Sequence, residues 1–158
     1  MPAGNEAIVR RLIEEVLSRG QTGLLAELVA ADHVGHGPFG DHYGPEGMRI
    51  AVAEYRTAFP DLRVTVEDLV AEGDKVVHRF TLRGTHTGPF LGIPPTGRVV
   101  TAVGIAIDRL AGGKVAESWL SLDALNLLRQ LGAGPAVQRP ADVEPPNTDS
   151  PPPGVATG

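Results

Sequence analysis

Few side chains in this chain have both the type and the spacing to do chemistry. The sharpest is Asp123. In Glu117–Asp123 the side chains of Trp119, Ser121 and Asp123 share the parity of a strand, and the apolar run Ala124–Gly132 reads as a helix. A carboxylate at that junction has two readings. Burial beside Trp119 would raise its proton affinity and make it a general base. Alternatively it is the N-cap of the helix, hydrogen-bonded to backbone N–H groups. The residues alone leave both open.

The histidines come next. His78 and His86 share parity with Val76, Phe80 and Leu82, so they face the apolar side of their strand, either as hydrogen-bonded core residues or as donors to substrate oxygens. His36 falls in a loop that can border a pocket mouth. Asp32, His33, His36 and His42 lie in one segment, but their spacing is not that of a metal site, so they read as loop residues and no metal is expected. Gly35-His36-Gly37-Pro38-Phe39-Gly40 matches G-x-G-x-x-G in letters only. It follows a helix rather than a strand, so nucleotide binding is rejected. With no cysteine, no Ser-His-Asp elbow and no P-loop, covalent catalysis has no agent.

These groups must be positioned by helices first and strands second. Apolar spacing predicts a helix from Asn5, as its cap, to Gly20. A second helix starts near Thr22, a loop spans Asp32 to Gly44, and a third helix opens at Pro45 and stops before Pro60. The period then becomes that of strands: from Leu62, with a slip near Asp68, then Lys75–His86, Arg98–Leu110 and Lys114–Leu122, with turns at Glu72-Gly73-Asp74 and Ala111-Gly112-Gly113. A Pro-containing loop spans Gly88–Gly97, and a short helix covers Ala124–Leu131. The expected fold is α+β: N-terminal helices packed on a curved antiparallel sheet, closed into a cone-shaped barrel around a small-molecule pocket. Residues 1–132 form this domain, and the proline-rich residues 133–158 form a disordered tail.

The chain has 158 residues and a net charge of −5, with no basic patch for nucleic acid and no apolar run of membrane-spanning length. The first residues lack the basic-then-apolar pattern of a signal peptide, so a cytoplasmic protein is expected.

The stretch from Trp119 through Asp123 to Gly132 resembles the C-terminal signature of SnoaL-like polyketide cyclases. Gly84–Gly97 is similar to that family's strand-and-loop segment, and Phe59-Pro60-Asp61-Leu62 to its helix-to-strand junction. The resemblance covers about residues 5–132. It implies a barrel of the nuclear transport factor two type, a homodimer through the sheet, and aldol ring closure of a polyketide ester without metal or cofactor. It also implies that Asp123 is the general base, with His86 and His36 near the pocket as donors to the developing oxyanion. On this reading Trp119, Tyr55, Phe80, His78 and Phe90 line the site of a hydrophobic substrate. The family places polar groups on the penultimate strand. Here Val103, Ile105 and Ile107 are read as its inward face, an apolar departure. Two alternatives remain: water addition to an epoxide, which calls for an acid and an Arg together, and a non-catalytic binding or dimerisation module.

Overall fold

The computed structural model describes residues 4–134. The expected disordered tail falls almost wholly outside them.

Helix α1 (Asn5–Arg11) runs on as π-helical turns over Leu12–Leu17, and together they bury Val9, Leu12, Ile13 and Val16. Asn5 is the first helical residue rather than the cap, a place taken by Gly4. The helix end is closed from outside. The Arg56 guanidinium donates to the Leu17 and Ser18 carbonyls at 3.1 and 3.0 Å, which would otherwise be orphaned. Gly20 lies at φ 71°, and a Cβ there would meet Arg56 Nε at 2.7 Å.

A short 3₁₀ turn leads to α2 (Leu25–Leu28), shorter than its apolar spacing predicts, because β1 (Val29–Gly37) begins at once. The expected loop from Asp32 to Gly44 is instead β1 and β2 (Gly40–Tyr43), an antiparallel pair. Neither strand shows apolar alternation. β1 is defined by its parallel pairing with β6 (Lys114–Leu122), a contact distant in sequence that local propensity cannot report. Helix α3 (Gly44–Ala58) carries Pro45 in its first turn, as predicted.

The meander follows as expected: β3 (Arg63–Glu72), with a bulge between Val66 and Asp68, then β4 (Lys75–Thr85), β5 (Val99–Ala111) and β6. Helix α4 (Ala124–Gln130) closes the fold. The sheet has six strands in the order β2-β1-β6-β5-β4-β3. It is mixed and open, an α+β cone with β2 and β3 at its edges.

One facing is corrected. On β5 the buried side chains are Val100, Ala102, Ala106, Asp108 and Leu110, while Val103, Ile105 and Ile107 are exposed. Both faces of this strand are apolar, so parity alone could not orient it. Side-chain size does. A Cβ at inward-facing Gly104 would collide with the Phe80 ring, so this face needs small residues opposite the aromatic.

The core divides in two. One cluster gathers α1, α2, Met48, Val52, Val76, Leu110 and Val115. The other gathers Phe59, Leu62, Phe80, Leu82, Phe90, Val100, Leu122 and α4 residues.

Candidate active site

A polar layer lies between the two apolar clusters. Four consecutive strands, β1, β6, β5 and β4, each send one residue to it: His33, Ser118, Asp108 and His78. Along β4, His78 sits between Val76 of one cluster and Phe80 of the other. Along β5, Asp108 sits in the same way between Leu110 and Ala106. His33, His78 and Asp108 are all buried.

The four are joined end to end. His78 Nε2 is 2.9 Å from Asp108 Oδ2, the Ser118 hydroxyl donates to Asp108 Oδ1 at 2.6 Å, and His33 Nε2 is 3.0 Å from Ser118 Oγ. Hydrogen-bond capacity fixes the proton positions. A carboxylate only accepts, so His78 presents Nε2–H to it and keeps a lone pair on Nδ1. Ser118 spends its one proton on Asp108, so it accepts from His33 Nε2–H, and His33 also keeps a lone pair on Nδ1. Both Nδ1 atoms are buried without a hydrogen-bond partner. Burial pushes the His33 imidazole down to about 4, with His42 adding to the shift, so it is neutral at physiological pH. His42, half-buried on edge strand β2, lies with its ring 5.5 Å from that of His33 and is shifted downward mainly by burial. Gly35 makes room for it, since a Cβ there would strike the His42 ring.

The residues singled out from sequence separate into four places. His78 and Phe80 meet at the polar layer, with ring centroids 5.8 Å apart. Tyr55 and Phe90 meet at the other end of the interior, 5.5 Å apart, with Phe59 beside Phe90. Burial raises the Tyr55 phenol to about 12, so it stays protonated. His86 belongs to this second place. It lies eight residues beyond His78, roughly 26 Å along an extended strand, so one small reacting centre cannot touch both. His86 Nδ1 accepts from Thr96 N–H at 3.1 Å, and its backbone bonds to Arg98 and Gly97 at 2.9 and 2.8 Å. It therefore pins the 86–98 loop.

The third place is the outer face of the sheet. His36 stacks on Trp119 with centroids 5.9 Å apart, and its ring nitrogens meet Glu117 at 2.9 Å and Asp41 at 3.2 Å. The Glu117 hydrogen bond, reinforced by Asp41, raises the His36 proton affinity and lowers that of Glu117. The fourth is the start of α4. Asp123 is exposed and accepts from Asn126 N–H at 3.2 Å, the cap geometry. Trp119 and Ser121 do share a strand face, but it is the outer one, and Asp123 lies just beyond the end of that strand. Asp108 and Arg109 point to opposite faces of β5, so these two do not converge, and Arg109 pairs instead with Glu117 at 3.5 Å.

A shallow groove of about 400 Å³ between α3 and Pro89–Leu91 holds Phe90 but no histidine. No group of three or more His, Asp or Glu among the described residues is placed to hold a metal, and no described helix is long and apolar enough to cross a membrane.

The family model of SnoaL-like polyketide cyclases matches residues 7–131. The chain belongs to that family. It is 30% identical over 131 residues to the aklanonic acid methyl ester cyclase DnrD of Streptomyces peucetius, covering 79% of this chain and 88% of the relative. Among solved structures, IdmH of Streptomyces antibioticus is 33% identical with a TM-score of 0.73, covering 83% of this chain and 100% of that one. TsrD of Streptomyces laurentii is 36% identical with the same TM-score of 0.73, covering 83% and 99%.

Sequence reasoning missed Ser118, read His33 as a loop residue, and weighed Asp108 only as an acid beside Arg109 for epoxide chemistry. Asp108 carried a signal: it is an acid in an apolar strand at the parity of Ala102, Gly104 and Ala106. Choosing those small residues as the inward set would have placed it in the interior.

Proposed function

We propose that this family member closes a ring in a polyketide-like ester by an intramolecular aldol reaction, with His78 as general base and Asp108 as its orienting carboxylate. One observation carries the assignment: a buried imidazole whose Nε2–H is held by a carboxylate at 2.9 Å and whose Nδ1 is unpartnered. A base needs a free lone pair and a partner for the positive charge it acquires. His78 has the second in Asp108, and its unpartnered Nδ1 supplies the first. Asp123, exposed and engaged as a cap, lies outside this interior layer.

In this mechanism Nδ1 of His78 takes a proton from a carbon flanked by carbonyls, and Asp108 offsets the imidazolium charge. The enolate carbon attacks a second carbonyl of the same molecule. The alkoxide so formed is reprotonated, and no net proton is gained or lost. The His78 imidazolium returns its proton to that oxygen, so the proton taken from carbon is the one given back. Acid–base chemistry suffices for every step, so the reaction calls for no cofactor. Phe80 and Phe90 supply apolar surface for a hydrophobic substrate.

The same reading makes the chain a homodimer through the outer face of the sheet. Val77 pairs with Ile107, and Ile107 with Trp119, so three exposed apolar side chains form a row across β4, β5 and β6. Val99, Val103 and Ile105 extend it along β5. A contiguous apolar patch of this kind marks an interaction surface.

The test is turnover of aklanonic acid methyl ester, the compound named for the relative DnrD, by the wild type, His78→Gln and Asp123→Asn. Ring closure by the wild type and Asp123→Asn, but not by His78→Gln, is the expected result. Loss of turnover in Asp123→Asn with His78→Gln active would return the base to Asp123.

A further inference from the structure

We infer that His33 is a substrate-recognition residue whose Nδ1 accepts a hydrogen bond from a hydroxyl group of the substrate, and that Ser118 holds it in that role. The inference rests on reading the polar layer as the wall that faces the substrate.

The proton positions make the case. Ser118 donates to Asp108 at 2.6 Å, so toward His33 it can only accept, and the His33 proton is fixed on Nε2. Nδ1 is left as a lone pair in a side chain with 0% exposure and no hydrogen-bond partner. A buried acceptor left unsatisfied costs about 1–3 kcal/mol, and a bound donor group would recover that cost. The group it takes must be a donor. His33 is also a weak base, since burial holds its protonated form down to about 4. It accepts a hydrogen bond without removing the proton, unlike His78. A neutral acceptor on a Ser118–Asp108 chain suits an enolic or phenolic hydroxyl. It disfavours an ether or ester oxygen at the same position, where two lone pairs would face each other.

The experiment uses the full chain with 2-naphthol and 2-methoxynaphthalene, which differ in the donor, binding being followed by ligand fluorescence. The wild type is expected to bind the naphthol about tenfold more tightly, the worth of one hydrogen bond. His33→Leu should abolish the preference and Ser118→Ala should reduce it, while Asp123→Asn keeps it. A second measurement needs no variant. In ¹⁵N-labelled wild type, the His33 Nδ1 resonance should be that of an unprotonated imidazole nitrogen and should move on adding the naphthol but not its ether. Equal binding of the two probes, no binding of either, a preference that survives His33→Leu, or a protonated Nδ1 overturns the inference. Turnover of the ester is read separately. A chain that binds naphthol as described but does not close the ring defeats the cyclase mechanism and leaves the role of His33 standing.

Discussion

The Ser118 hydroxyl stands 2.6 Å from the Asp108 carboxylate across the β5–β6 ladder, and through that contact one carboxylate organises imidazoles on both sides. His78 bonds to its other oxygen directly and His33 reaches it through the serine. Asp108→Asn should therefore remove turnover by about 100-fold or more, the usual scale for losing an oriented base. The amide cannot accept from both sides as a carboxylate does. Ser118→Ala should cost less, because His78 keeps its own bond. Steady-state kinetics on the ester, with circular dichroism to confirm folding, distinguish the two.

Asp123 should behave as a cap. Asn at an N-cap is as good as Asp, whereas Ala costs about 1 kcal/mol. Asp123→Asn is thus expected to match the wild type in denaturant midpoint and turnover, and Asp123→Ala to lose stability alone. Chemical denaturation alongside kinetics reads both quantities.

The outer face of the sheet should be an interface between copies. Ile105 is 51% exposed at the centre of the apolar patch, so Ile105→Glu would bury a charge in a dimer and cost little in a monomer. The wild type should elute as a dimer by light scattering and Ile105→Glu as a monomer. A monomeric wild type at micromolar concentration would refute the interface.

Acid should weaken the fold through His33. Its folded-state proton affinity lies below the ordinary value of 6.5, at about 4, so between these values the unfolded chain binds more protons than the folded one. The stabilising difference is complete above pH 6.5 and is lost as pH falls toward 4. The melting temperature should drop across that window, and His33→Gln should flatten the drop. An unchanged slope in the variant would assign the acid sensitivity elsewhere.

His36 shifts the other way. Its hydrogen bonds to Glu117 and Asp41 favour the imidazolium, so the stabilisation it gives is present below pH 6.5 and is lost as pH rises through the raised value. Glu117→Gln should bring the His36 titration, followed by NMR, back toward that of a free imidazole, because Glu117 is the larger cause.

What the sequence determined by itself was local. Apolar spacing at 3.6 and 2 residues marked α1, α3, α4 and the β3–β6 meander, and the bulge near Asp68 showed as a slip in period. The segments that carry the SnoaL-like resemblance were legible as letters. Only the tertiary structure decided the rest. Strand β1 owes its existence to β6, more than eighty residues away, and its Gly- and His-rich composition carries no alternation. Period 2 says which residues share a face but not which face is inside, so Trp119 and Ser121 were grouped correctly and Ile105 was oriented wrongly until Gly104 met Phe80. The polar layer is the extreme case: its four residues come from four strands and touch only because the ladder aligns them, a relation that no one-dimensional spacing contains.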